Sequence, residues 1–260
     1  IGAIHVYVTV PFIAIFGPST VSVRLPSILI GVTILLLTYG FIRTVWGERT
    51  ALLATVLLAI HPSFVFWSRQ GTLIASVTLA LMMALFWACH KWYVRGTWQT
   101  AIVAGLIAGL GTYSKILFVW ILFGILGTTI IINISNFMVG HKNIWPRRPN
   151  YIDIIATASG FIIGISPIVA FNLISQGKAF ARTSDIATSK SNILENVLGR
   201  ADHFVAVLTG NSHFWYLGSS PGNRLWLSAF IISLIILVIS IMCHGTRSKK
   251  NCVLLLLFLT

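Results

Sequence analysis

Long apolar runs recur along the chain, divided by short clusters of charge. Reading between the charges gives Leu25–Ile42, Ala51–Ser68, Gln70–His90, Gly96–Ser114, Ile116–His141, Ile154–Gly177 and Leu225–Thr246. Each approaches the roughly 20 residues that a helix needs to cross the hydrocarbon core of a bilayer. Leu, Ile and Ala fill the runs without strict alternation. In hydrocarbon every backbone group must be satisfied within its own segment, so these are predicted to be helices and not barrel strands. The expected fold is all-α: a polytopic transmembrane helix bundle of about seven complete spans. The run Val253–Leu259, too short to cross alone, reads as a truncated eighth.

Between the runs the chain divides further. Ile1–Pro18 is uncharged but interrupted by His5, Tyr7, Pro11 and Gly17, and residues 1–23 are read as an interfacial or re-entrant segment on the outer face. The transmembrane bundle then covers 24–175, an extracytoplasmic loop 176–223, and C-terminal transmembrane segments 224–260. The loop is the one sizeable polar stretch. Among connections that are otherwise short, such a length points to a functional or partly folded segment. Residues 192–208 within it are predicted to form a helix. There is no repeat at a fixed period. Gly105 and Gly109 have the small-xxx-small spacing that lets two helices approach closely, which is read as packing within the chain.

Composition agrees with a lipid solvent. Hydrophobic residues make up 57% of the 260 positions, charged ones 9%, and the mean hydropathy is +0.90. That leaves too few polar side chains to coat a water-soluble globule. The 18 Lys and Arg against 5 Asp and Glu are scattered between apolar runs, which makes them topology signals and excludes a nucleic-acid face. Seven spans make the connections alternate between two sides. One set carries Arg43, Arg49, Lys91, Arg95, Lys142, Arg147, Arg148, Arg247, Lys249 and Lys250, and the opposite short connections only Arg24, Arg69 and Lys115; the other five, Lys178, Arg182, Lys190, Arg200 and Arg224, belong to one long outer segment where such counting has little force. The first set is therefore expected in the cytoplasm. Cys89, Cys243 and Cys252 lie in or beside apolar runs without metal-ligand spacing, and nothing in the chain calls for a metal or a cofactor.

Motifs of soluble enzymes are absent, so any chemistry rests on sparse polar residues at the membrane boundary. The isolated cations Arg24, Arg69 and Lys115 each stand at the outer end of an apolar run. They fit snorkelling toward headgroups, or a phosphate site in which Arg makes bidentate contacts and Lys a point-charge one. Glu48 and Asp153 fall on the cytoplasmic side, apart from these cations, and Asp185, Glu195 and Asp202 lie in the polar loop. His5, His203 and His213 are also outside, while His61 before Pro62 is read as packed at a proline kink. Phe214, Trp215 and Tyr216, with Trp226 and Trp67, suit an interfacial aromatic belt or stacking on sugar rings.

Four segments, taken in order, resemble a known family. They are Gly17-Pro-Ser-Thr-Val-Ser-Val-Arg-Leu-Pro-Ser27 after the segment holding His5, Val45-Trp-Gly-Glu-Arg-Thr-Ala-Leu-Leu-Ala54, His61-Pro-Ser-Phe-Val-Phe-Trp-Ser-Arg69, and Gly105-Leu-Ile-Ala-Gly-Leu-Gly-Thr-Tyr-Ser-Lys115. Together they resemble the dolichyl-phosphate-mannose protein mannosyltransferase-like, or ArnT-like, branch of the GT-C glycosyltransferases. The resemblance covers 1–132 well and the chain from Tyr151 onward only loosely. It implies a plasma-membrane enzyme, bacterial and with its active face outward, that moves a sugar from a polyprenyl phosphate to a lipid, glycan or protein acceptor with inversion. Arg24, Arg69 and Lys115 would bind the donor phosphate, and His5, Arg182, Trp215 and Tyr216 would contact substrates.

This sequence departs from the family pattern in places. The family's proline pair after the histidine is replaced by Val6-Tyr7, and Gln70-Gly-Thr-Leu-Ile-Ala75 carries no acid after Arg69. The family's acidic catalytic motif belongs to a first outer loop, which would precede Ile1, and both ends of the chain are read as cut. The competing reading is a non-catalytic polytopic membrane protein: a transporter, a flippase, or a pseudoenzyme subunit of the same fold.

Overall fold

The computed structural model describes residues 4–69, 75–138 and 149–176, together with positions 199, 202, 205–206, 209, 225, 227–233 and 235. Every regular element among the described residues is helical: α1 (Ile4–Phe16), α2 (Thr20–Trp46), α3 (Glu48–Ile60), α4 (Pro62–Arg69), α5 (Ala75–Arg95), α6 (Trp98–Ser114), a 3-10 turn (Ile116–Phe118), α7 (Val119–Met138) and α8 (Tyr151–Ile174). Thr20–Trp46, Val77–Arg95 and Tyr151–Ile174 are long and apolar enough to cross a membrane. The pair α3 and α4 makes a fourth candidate span, bent by 65°.

The burial pattern is that of a protein dissolved in lipid. Along α2 the inward stripe is Ser22, Pro26, Ser27, Gly31, Ile34, Thr38, Phe41 and Ile42, while Leu36 is 66% exposed. Along α6 it is Ala101, Ala104, Gly105, Ala108, Gly109, Gly111, Thr112 and Ser114. Small and hydroxylated residues make up most of both inward stripes, joined in α2 by Ile34, Phe41 and Ile42, because helices in hydrocarbon gain from close van der Waals approach more than from hiding apolar surface. The protein is an all-helical integral membrane protein.

Two sequence boundaries move. The apolar run counted from Leu25 begins in the structure at Thr20, so Arg24 lies within α2 and not in the connection before it. Ser19 caps the helix reciprocally with Ser22: the Ser22 amide donates to Ser19 Oγ at 3.2 Å and the Ser19 amide to Ser22 Oγ at 2.9 Å. This capping box starts the helix a turn ahead of the charge. The run Ala51–Ser68 is not one helix. It breaks at His61, whose extended backbone caps α3 ahead of Pro62, the first residue of α4. A proline ring forces the preceding residue out of the helical region, and its own missing N–H suits a helix start.

The closest contact in the bundle joins α6 to α8. A Cβ added to Gly105 would overlap the Thr157 carbonyl oxygen, one on Gly109 the Phe161 oxygen, and one on Gly160 the Ile102 oxygen. Gly164 meets Leu110 N and Gly109 Cα in the same way. Residue numbers rise together on both helices, so α6 and α8 run parallel.

Direction follows elsewhere by the same reasoning. The chain passes Gly31 of α2 at Ser68 and reaches Gly40 at Trp87, so α5 runs in the same sense as α2. Phe41 packs there against Phe86 and His90. Gly96, with φ of 62°, turns the chain back into α6, where Leu85 and Ala88 meet Ala104 and Ala108. The N-terminus of α2 and the C-termini of α4, α6 and α8 therefore share one end of the bundle. The C-termini of α2 and α5 share the other with the N-termini of α3, α6 and α8.

After α6 the chain is pinned by Phe118. Its side chain is completely buried, and its ring fills the space a side chain at Gly111 would take. Lys115 sits between them as the C-cap of α6: its amide donates to Gly111 O at 3.0 Å and its carbonyl accepts from the Phe118 amide at 2.8 Å.

Three positions test this packing, each read by unfolding of the purified protein in detergent. Gly109→Ala forces two backbones apart and should cost about 1–3 kcal/mol, the usual penalty of overpacking. Gly127→Ala in α7, with nothing within 4 Å of the added Cβ, should leave stability unchanged or raise it slightly. Phe118→Ala should cost about 3–5 kcal/mol by opening a cavity behind the Lys115 turn, and Phe118→Leu clearly less.

Candidate functional site

Helix direction places all three isolated cations at one end of the bundle. Arg24 lies in the second turn of α2, Arg69 is the last residue of α4, and Lys115 caps α6. The C-terminal end of α4 leans on the N-terminal half of α2, since a Cβ at Gly31 would come within 2.8 Å of Ser68 Cβ. Arg24 stands two turns before Gly31, about 10 Å along the helix axis. All three cationic side chains are exposed, and among the described residues none has a carboxylate partner.

The break at His61 matters for this arrangement. A straight helix would carry Arg69 onward along the axis of α3; the 65° bend turns α4 so that its end meets α2. His61 itself is half-buried, and its carbonyl accepts from the Val65 amide at 3.0 Å, as expected of a residue spliced into a helix break.

Two further polar groups at this end escaped the sequence reading. Ser27 lies one turn after Arg24 and Ser114 directly before Lys115; they are 0% and 1% exposed. Neither hydroxyl has a hydrogen-bond partner among the described residues. A buried, unsatisfied hydroxyl is costly, and both lie at the end of the bundle that carries the isolated cations. Their apolar and glycine-rich surroundings in the sequence gave no signal that they would point inward.

His5 is 5% exposed, on the buried face of α1, and its carbonyl accepts from Thr9 Oγ1 at 2.8 Å. The next residues Val6 and Tyr7 face outward. Arg182, Trp215 and Tyr216 lie outside the described residues.

The described acids of the bundle are at the far end. Glu48 opens α3 and meets Arg43 at 3.9 Å. Asp153 is 2% exposed in the first turn of α8, where Asp153 Oδ2 accepts from the Asn150 amide at 3.2 Å in a capping box. Both fall a helix length from the cations, and both have structural roles where they stand. Among the described residues no group of His, Cys, Asp and Glu has the makings of a metal centre.

The arrangement offers exposed positive charge, without carboxylate partners among the described residues, at one end of the bundle, which suits an anionic group. Comparison with known proteins gives that chemistry a family. No curated protein and no solved structure matches the chain. A family model does, over residues 4–147, which is more than half of the chain and spans α1 through α7. The chain belongs to the dolichyl-phosphate-mannose-protein mannosyltransferase family, and is thus a membrane glycosyltransferase of the GT-C type.

Proposed function

We propose that the protein transfers a sugar from a polyprenyl-phosphate donor, with inversion, to a hydroxyl of a lipid, glycan or protein acceptor on the extracytoplasmic side of a bacterial plasma membrane. The observation that carries this reading is the charge partition of the bundle. Arg24, Arg69 and Lys115 occupy one end, without carboxylate partners among the described residues, and Arg43, Arg49, Lys91 and Arg95 the other. The basic-rich end fits the cytoplasmic side, which leaves the three isolated cations facing out.

In this reaction the acceptor oxygen attacks the anomeric carbon and the bond from that carbon to the phosphate oxygen breaks. The electron pair leaves with the lipid phosphate. Arg24, Arg69 and Lys115 stabilise the charge that grows on it, as preorganised cations at a water-poor boundary do best. The bidentate fork of Arg suits the phosphate oxygens, while the shorter-reaching, more hydrated Lys115 contributes as a point charge. The acceptor proton goes to a base other than Glu48 and Asp153, since both sit at the opposite end. His5 and, in the 176–223 loop, Arg182, Trp215 and Tyr216 are assigned to sugar and acceptor contacts. The seven-span topology, with residues 1–23 as an outer-face segment, belongs to the same reading.

A transporter is the reading that the α3–α4 break favours, because discontinuous helices mark many transport sites. Family membership weighs against it, and so does the location of the break, which orients Arg69 toward the candidate phosphate end.

The test is turnover of dolichyl-phosphate mannose by the full-length protein in liposomes. Arg69→Ala and Lys115→Ala should each lower transfer about a hundredfold with membrane insertion intact, the usual scale for removing one charge-stabilising donor. Arg69→Lys should recover part of the loss. Wild-type turnover in both alanine variants would leave headgroup snorkelling as their role.

A further inference from the structure

We propose that the bundle end opposite the candidate donor site binds anionic phospholipid, with Arg49 and Arg95 each as a contact for a phosphodiester headgroup. Four described basic residues share that end, at the C-termini of α2 and α5 and the start of α3. Two of them are already engaged within the protein. Arg43 meets Glu48 at 3.9 Å and lies 5.9 Å from the centre of the Tyr39 ring. The Lys91 ammonium lies 4.1 Å from the centre of the Trp87 ring, itself wedged against Gly40.

Arg49 and Arg95 are different. Both are exposed, and neither has an ion-pair or hydrogen-bond partner among the described residues. Arg95, at the C-terminal end of α5, complements the negative end of that helix. Arg49 stands in the first turn of α3, where the helix dipole disfavours a cation, and the acid of that turn, Glu48, faces Arg43. An anion from outside the protein would offset that cost.

The surroundings define the kind of anion. Trp46 and Trp92 are half-buried and Trp98 is 51% exposed at this rim, the placement that aromatic side chains take at headgroup depth. Leu52 and Leu53, one turn from Arg49, and Val94 beside Arg95 face outward, where acyl chains would lie. A partner that is anionic at its head and apolar below it is a phospholipid such as phosphatidylglycerol. The aliphatic rim disfavours a free soluble phosphate, which would gain nothing from these side chains.

The interface involves none of the residues assigned to transfer, so it stands or falls separately from that reaction. The measurement is binding of phosphatidylglycerol to the purified full-length protein in nanodiscs of phosphatidylcholine, followed by native mass spectrometry and by the rise in unfolding temperature. Arg49→Gln with Arg95→Gln should weaken binding about fivefold per charge removed, and abolish most of the stabilisation, with unfolding in pure phosphatidylcholine unchanged. Arg43→Gln with Glu48→Gln removes an internally matched pair and should leave binding within about twofold. Inorganic phosphate should not reproduce the stabilisation. Equal binding by the Arg49/Arg95 variant and wild type, or an equal loss in the Arg43/Glu48 variant, would overturn the proposal.

Discussion

Close backbone approach between α6 and α8 is the contact on which the rest of the described bundle depends. In hydrocarbon a helix gains nothing from covering leucine with leucine, so association has to come from atoms brought nearer than side chains normally allow. Gly105 and Gly109 supply one half of that approach and Gly160 and Gly164 the other, each glycine set against the opposite backbone. Because the pairing is parallel, the intervening α7 has to bring the chain back across the bundle. Lys115 and the C-terminus of α8 are thereby held at the same end, and the buried Phe118 keeps the turn after Lys115 from sliding.

The other half of the bundle reaches a similar result through a break. α2 is about 40 Å long at 1.5 Å per residue, longer than a bilayer core is thick, and a straight return helix from Glu48 to Arg69 would run back along it to about the level of Arg24. Bending at His61 and Pro62 shortens the return and turns the end of α4 onto Gly31. The missing side chain at Gly31 and the small one at Ser68 make that meeting possible. Arg69 then emerges beside the N-terminal half of α2, with no acid among the described residues to neutralise it.

Much of this was legible in the sequence, and the gaps have physical causes. Apolar run length and composition gave the helices, because a lipid solvent leaves the backbone few alternatives. The alternation of basic clusters gave the two ends, and the structure keeps Arg43, Arg49, Lys91 and Arg95 together, apart from Arg24, Arg69 and Lys115. The start of α2 was misread because charge was taken as the boundary, when the Ser19 and Ser22 hydroxyls decide it. The His61-Pro62 pair was read as a kink within one helix, since sequence alone does not tell a bend from a full break. Gly105 and Gly109 were recognisable as a packing surface, but not their partners: the spacing of Gly160 and Gly164 means nothing until the two helices are known to be neighbours. Lateral adjacency was likewise missing for Ser27 and Ser114, whose burial depends on which faces of α2 and α6 turn inward.

Separating the two kinds of charge has a chemical consequence. An acid within reach of Arg24, Arg69 or Lys115 would neutralise them and weaken their hold on a phosphate. Among the described residues the acids of the bundle are instead spent at the other end: Glu48 on Arg43, and Asp153 on the start of α8. The described helices thus keep their own carboxylates away from the cationic end, so that Arg24, Arg69 and Lys115 are not neutralised by the acids of the same bundle before an anion arrives.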